Sequence, residues 1–327
     1  MAYEREKQIA IEAVTLASQL CSAVRTEIVG VASLAKDDKS PVTIADFGSQ
    51  ALVCHHVRAG FPRDPIVGEE DSTDLQKPEN ASTLAQVVRY VRRFQPDATA
   101  ESVCHWIDAG NGQVGTRFWA LDPIDGTKGF LRNDQYAIAL ALIENGQVQV
   151  GVLGCPALPL DMNSPSSQAG VVFVAVRGEG AAMAPLGAAA FAPIHVTHAP
   201  DRSRLRFVES VEADHGNAAL QRAVAQAAGI TEPPLRMDSQ VKYGAVARGD
   251  AALYLRLPST KSPNYREKIW DHAAGALIVE EAGGRVTDMH GRPLDLASDY
   301  KMNDNRGVIA SQGTLHQAAI EALRQTP

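Results

Sequence analysis

The sequence predicts an α/β protein in two parts, and three observations carry that expectation. Residues 4–34 repeat apolar side chains at helical spacing, among them Ile9, Val14, Leu20, Val24 and Ile28, on one broad face. Residues 136–183 hold two pairs of apolar runs, joined by Glu144-Asn145-Gly146 and by Arg177-Gly178-Glu179, which is a hairpin pattern. From residue 206 to residue 324 short apolar runs alternate with helical ones, and such alternation implies a mixed sheet with helices against it.

The first pattern is a long amphipathic helix. A charged loop follows at 36–41, and Thr43 opens a second helix whose buried side is Ala51, Leu52, Val53 and Val57. Asp46 falls in its first turn, where an acid ordinarily serves the helix dipole. Asp64-Pro65-Ile66-Val67-Gly68 reads as a short strand, with Glu69, Glu70 and Asp71 directly after it. Consecutive acids usually mark a solvated loop, yet the end of a buried strand is also where sites collect in sheet-based folds. Residues 72–115 are polar, with a helix over 81–94. Cys104, His105 and Trp106 read as surface or packing residues, because His105 has no partner at ligand spacing.

Residues 118–130, Phe-Trp-Ala-Leu-Asp-Pro-Ile-Asp-Gly-Thr-Lys-Gly-Phe, organise the chain. An apolar strand at 118–121 stops at Asp122-Pro123, and Asp125-Gly126-Thr127 is a turn that opens a helix. Asp122 and Asp125 can converge just outside the sheet edge with the Ile124 carbonyl, an arrangement that suits a hard divalent cation. The N–H groups of Gly126 and Thr127 offer a place for a phosphate oxygen. The same Asp-Pro-x-Asp-Gly string is also ordinary turn chemistry.

The Ala-, Pro- and Gly-rich stretch at 184–194 is the best boundary, dividing residues 1–194 from residues 195–327. Strands then follow at 206–211, 234–237, 252–256, 285–288 and 307–310, with helices at 217–228, 240–248, 271–282 and 313–324. Asp271 stands where an N-cap is preferred, and Gly283-Gly284 closes that helix.

At 327 residues and 45% hydrophobic, the chain has ample apolar material for a large core. A net charge of −7 and a pI near 5.7 argue against a nucleic-acid-binding surface. They would also repel a phosphate ester unless bound cations invert the field locally. Cys21, Cys54, Cys104 and Cys155 are scattered without ligand spacing, as buried reduced thiols would be. The N-terminus lacks a signal-peptide pattern and no run is long enough to span a membrane, so the expectation is a cytoplasmic protein with no membrane partner.

Asp46, Glu69 with Glu70, Asp122 with Asp125 and Thr127, and Asp271 all stand at ends of elements. Each has its ordinary explanation; together they would supply ligands for two metal ions, a phosphate cradle and a water activator. Four pieces of sequence, Ser-Pro-Val-Thr-Ile-Ala-Asp (40–46), Ile-Val-Gly-Glu-Glu-Asp (66–71), Asp-Pro-Ile-Asp-Gly-Thr (122–127) and Trp-Asp-His-Ala-Ala-Gly (270–275), resemble the signatures of the inositol monophosphatase superfamily. They occur in the family's order and span nearly the whole chain. Asp-Ser-Gln-Val-Lys-Tyr (238–243), Tyr-Leu-Arg-Leu-Pro (254–258) and Glu-Lys-Ile-Trp-Asp-His (267–272) look most like the 3′(2′),5′-bisphosphate nucleotidase branch. So does the long stretch between the two acidic motifs.

The resemblance implies a layered αβαβα sandwich and removal of the 3′-phosphate of 3′-phosphoadenosine 5′-phosphate, giving AMP. It implies two or three Mg²⁺ ions, with Glu69 and Asp122 bridging them and Asp125, Asp271 and the Ile124 carbonyl completing the ligands. Asp46 and Thr127 would hold and activate the attacking water. Ser239, Lys242 and Arg256 match positions that hold the 5′-phosphate and nucleotide, and His215 would sit by the adenosine. Inhibition by Li⁺ and a monomer or homodimer are further expectations.

An all-oxygen ligand set fits Mg²⁺ better than Zn²⁺. A lone Lys or Arg is usually a solvated residue; a second phosphate is what would require both Lys242 and Arg256. The alternatives are an inositol polyphosphate 1-phosphatase or inositol monophosphatase, and a non-catalytic metal and nucleotide sensor. A sensor would lose the water-activating pair, and this chain keeps both Asp46 and Thr127.

Overall fold

The computed structural model describes residues 2–29, 40–164, 167–198, 201–211, 217–259, 261–262 and 264–325. Helix α1 (Glu4–Val24) is prolonged by a π-helical stretch at Arg25–Val29, and α2 covers Ser40–Gly60. Strand β1 (Ile66–Gly68) leads to α3 (Ala81–Val91) and α4 (Ala100–Asp108). Next come β2 (Arg117–Asp125), α5 (Thr127–Leu131), β3 (Ala137–Glu144), β4 (Gln147–Pro159), β5 (Ala169–Val176), β6 (Gly180–Pro185) and β7 (Ala192–Pro193). The remainder is β8 (Phe207–Glu209), α6 (Ala218–Ala227), β9 (Leu235–Arg236), α7 (Val241–Ala247) and β10 (Leu253–Arg256). It closes with α8 (Ala273–Glu281), β11 (Arg285–Thr287), β12 (Val308–Ser311) and α9 (His316–Gln325).

Among the described residues the strands form two sheets. In the first, β1 to β7 lie in chain order, β1 parallel to β2 and each later neighbour antiparallel. In the second the order is β11-β12-β10-β8-β9, with both parallel and antiparallel pairs. Helices α1 and α2 cover one face of the first sheet, α7 and α8 fill the space between the sheets, and α6 and α9 cover the outer face of the second. This is the layered αβαβα sandwich that the resemblance implied.

Side-chain alternation on β3 shows how the layers are spaced. Ile138, Leu140 and Leu142 enter the core beneath α1 and α2, while Ala137, Ala139 and Ala141 face the core shared with α8. The small face lets α8 come close. A Cβ on Gly151 of β4 would lie 2.9 Å from the Ala274 carbonyl oxygen, and one on Gly275 would lie 2.4 Å from the Tyr243 ring. The residues just before α8 are thereby pressed toward the end of β2. The helix closes as expected: Gly283, at φ +91, donates to Glu280 O and Gly284 to Val279 O.

Several local expectations change. Helix α2 begins at Ser40 rather than Thr43, with Pro41 in the first turn, so Asp46 lies deeper in the helix and is 7% exposed. A buried interior acid is not explained by the helix dipole. Strand β2 does not stop at Asp122; it runs to Asp125 through a bulge, with Asp122 opposite Ala139 and Asp125 opposite Ala137. The bulge accommodates Pro123, which has no N–H to give a ladder. Asp271 ends a 3₁₀ turn, Ile269–Asp271, and the cap position of α8 is His272, so Asp271 is not that helix's N-cap. Residues 100–108 form a helix the sequence reading left out; Thr99 and Ser102 cap it reciprocally. Cys104 and Trp106 pack there, the latter 4.1 Å from the His55 ring. All four cysteines are buried and free.

Candidate active site

Because β1 and β2 run parallel, with Gly68 opposite Leu121, their C-terminal ends carry Glu69 and Asp122 to the same edge. From the helix side, Ser49 of α2 donates to the Pro123 carbonyl at 2.8 Å and ties α2 to the bulge. The turn before α8 brings Asp271 from the layer between the sheets. Glu69, Asp122, Ile124, Asp125 and Asp271 line one cavity of about 360 Å³. Gly126 and Thr127 line it at the start of α5, and Ser239, Lys242 and Arg256 line it from the second part of the chain. Asp46 is not on the cavity wall, but its charge is felt at Asp122, and it feels Glu70 and Glu69 in turn. His215 lies outside the described residues.

Two unusual backbone positions hold the walls together. Gly126 has φ +93, and a Cβ there would come within 2.8 Å of the Ser239 Cβ. Ser239 itself has φ +63, which lets the next residue, Gln240, donate its N–H to Asp125 Oδ2 at 2.6 Å. The loop before α7 is therefore fastened to the end of β2. Arg132 pairs with Asp238 beside it.

The acids are short of positive charge. Burial, and then repulsion from Glu69, Asp125, Asp271 and Asp46, push the Asp122 carboxyl well above the usual range. Glu69 is exposed, yet desolvation within the cleft and the charges of Glu70 and Asp125 raise it to about 7. Burial, with Asp125 and Glu267 adding to it and His272 partly opposing, raises Asp271 to about 7. Burial likewise raises Asp46 well above its ordinary value, reinforced by Glu70 and Glu69. Asp125 is raised by burial too, although Lys242, Arg256 and the Gln240 N–H oppose that. Lys242 is buried and pulled down to about 8, with its Nζ 3.4 Å from Met237 O and 5.3 Å from the Tyr254 ring centroid.

Whether a hard cation fits is decided by two details. Oδ1 of Asp122 is buried with no hydrogen-bond partner among the described residues, and the charge of Glu69, from the end of the neighbouring strand, repels it. Two carboxyl groups so placed need a shared proton or a cation, and the donors are all oxygen. Glu267, Asp271 and His272 also bring possible ligand atoms within 4.8 Å of one another. Glu267, however, already has Arg256 at 3.2 Å and His272 at 3.3 Å. Despite its burial, those partners hold it at about 2. The unmet demand for positive charge lies at Asp122, Glu69 and Asp271.

Sequence reasoning assigned no role to Glu267, His272, Tyr254 or Tyr265, and the last three line the cavity. Glu267 and His272 stand inside a quoted motif, and the signal that could have found Glu267 is that a half-buried Arg256 favours a counter-ion.

The model of the inositol monophosphatase family matches residues 3–327. The chain is 45% identical to a 3′(2′),5′-bisphosphate nucleotidase of Schizosaccharomyces pombe, covering 98% of this chain and 96% of that protein. It is 42% identical to one of Oryza sativa, covering 98% and 94%. Among solved structures it is similar to an inositol monophosphatase from Anabaena (Nostoc) sp. PCC 7120, with a TM-score of 0.66, 22% identity and coverage of 100% and 98%. A bacterial family member from Bacteroides thetaiotaomicron gives 0.60 at 20% identity, covering 95% and 98%. At such identities the solved structures speak for the fold.

Proposed function

The chain belongs to the inositol monophosphatase family, and on that premise we propose that it is a phosphomonoesterase of the 3′(2′),5′-bisphosphate nucleotidase branch. It removes the 3′-phosphate of 3′-phosphoadenosine 5′-phosphate to give AMP and phosphate. The observation that carries this reading is one cavity holding acids short of cations, a place for a metal-bound phosphate, together with the cations Lys242 and Arg256, a place for a second one.

We assign the metal site to Glu69, Asp122, Asp125, Asp271 and the Ile124 carbonyl, holding two or three Mg²⁺ ions. When bound, the ions neutralise phosphoryl charge and lower the pKa of water. Uncatalysed monoester hydrolysis is extremely slow, so positioning and charge must do most of the work. Thr127, on the cavity wall, and Asp46, buried on α2, are assigned to orienting the attacking water. The N–H groups of Gly126 and Thr127 are assigned to phosphoryl oxygens. Helix α5 has only 5 residues, so individual N–H directions rather than a macrodipole would act there. Ser239, Lys242 and Arg256 take the 5′-phosphate, whose charge would favour the protonated form of Lys242. No described helix is long and apolar enough to cross a membrane.

Phosphate release from 3′-phosphoadenosine 5′-phosphate, inositol 1,4-bisphosphate and inositol 1-phosphate, each with and without Mg²⁺, tests the reading. The nucleotide should be the best substrate and should need the metal. A far better inositol bisphosphate would remove the nucleotide assignment, and tight nucleotide binding without turnover would remove the enzyme.

A further inference from the structure

Arg256, at the end of β10, donates its Nε to Oε1 of Glu267 at 3.2 Å. The other oxygen of Glu267 lies 3.3 Å from His272 Nε2, and His272 Nδ1 lies 2.7 Å from the Tyr243 hydroxyl. Tyr243 is on α7 beside Lys242, with its ring edge-on to Tyr254 at 5.1 Å. These contacts form an unbroken chain from α7 to the guanidinium. One proton assignment satisfies every link: Tyr243 donates to Nδ1, the ring proton sits on Nε2, and Glu267 accepts from both His272 and Arg256.

We propose that Glu267 is a positioning residue that sets the preference for substrates carrying a second phosphate, by aiming Arg256, with His272 and Tyr243 bracing it from behind. The proposal rests on the reading above that Arg256 receives the 5′-phosphate. A guanidinium is a rigid planar fork, so holding Nε fixes the plane in which its remaining N–H groups can meet an anion. The backbone around Glu267 is itself pinned, since Met302 N donates to Glu267 O at 2.9 Å and Ile269 N to Tyr300 O at 3.0 Å. The fork is thus ordered before substrate arrives, and binding need not freeze a flexible side chain. Glu267 has a second effect. Arg256 is close enough to Asp125 and Asp271 for their charges to interact, and a guanidinium without Glu267 would be drawn toward those acids and away from the substrate.

The test is the ratio of KM for 3′-phosphoadenosine 5′-phosphate to KM for adenosine 3′-phosphate, which lacks the 5′-phosphate. Glu267→Gln keeps the shape and loses the charge, and should raise that ratio roughly tenfold or more, the scale of a lost charge-assisted hydrogen bond. Tyr243→Phe removes one oxygen and should move the ratio the same way by less. If Glu267→Gln does not fold, the ratio is read on Tyr243→Phe. In an Arg256→Ala background the further change Glu267→Gln should leave the ratio where Arg256→Ala put it. A wild-type enzyme that favours the bisphosphate, and keeps that preference in both relay variants, overturns this inference alone. A wild-type enzyme indifferent to the 5′-phosphate overturns it together with the role given to Arg256. Equal losses in kcat on both substrates with an unchanged ratio would mean a purely structural relay, and would also overturn it.

Discussion

Replacing Asp122 by asparagine separates two consequences of its burial. The carboxylate is repelled by Glu69, Asp125, Asp271 and Asp46, and its Oδ1 has no partner among the described residues, so in the metal-free protein its charge works against the fold. Asp122→Asn should therefore leave the melting temperature in chelator at or above the wild-type value. The same change removes a proposed metal ligand. Because even outer-shell partners of metals are worth roughly 10- to 100-fold, Mg²⁺-dependent turnover should fall by more than about a hundredfold. A variant with near wild-type turnover would dismiss Asp122 from the site, and one that melts far lower would make the acid structural. At this scale Asp122 and Asp125 were legible because strand ends and turn residues leave a local signature. Glu267 and His272 were not, since their partners come together only when β10, α7 and the turn before α8 meet. Asp46 was legible as a residue but not in its setting, which depended on where α2 begins.

Among elements, the join between β2 and α5 carries a sharp test. Gly126 sits at φ +93 with the Ser239 Cβ in the way of any side chain, whereas Gly178, at φ +80 in the turn between β5 and β6, has open space around it. Alanine at either position pays the left-handed strain of roughly 1–2 kcal/mol, which urea unfolding would read. Only Gly126→Ala should also push the Ser239 loop from Asp125 and lower kcat/KM, while Gly178→Ala should leave kcat/KM at its wild-type value. Matching activity losses would mean that the join does not position the site. The hairpin at Asn145-Gly146 was readable because two consecutive positive φ angles, +53 and +77, demand those residue types. The bulge at Pro123 was not, because a proline after an apolar run signals an end as readily as a bulge. The start of α2 was readable in principle, since proline is favoured in a first turn.

For the molecule as a whole, the alternation of strands and helices announced mixed sheets, while the stacking into five layers followed from family resemblance rather than from periodicity. The reason is that which face of a sheet meets which helix depends on contacts far apart in sequence, such as alanines of β3 against α8. The same stacking buries Asp46 and Asp122, gathers the half-buried Asp125 and Asp271 and the exposed Glu69 beside them, and gives the fold a distinctive pH dependence. Glu69 and Asp271 are raised to about 7, and Asp122 and Asp46 also lie well above their ordinary values. Below about pH 4 folded and unfolded chains hold these protons alike. As the pH rises toward about 7 the unfolded chain releases them first, the folded chain holds more of these protons, and the acids' contribution to stability falls. Glu267 and Lys242, at about 2 and about 8, make their changes outside that window, whereas burial lowers His316 to about 4, which opposes the fall up to its ordinary value of 6.5. On the proposed assignment Mg²⁺ would bind the folded chain and take the place of the retained protons, so its stabilisation should grow over the same range. Melting in chelator should therefore drop between about pH 6.5 and about pH 7.5, and the rise in melting temperature on adding Mg²⁺ should be larger at the upper value. A metal-free protein whose stability is flat or rising across that range would mean that the buried acids already have their counter-charges within the chain, and the proposed metal site would lose its electrostatic basis.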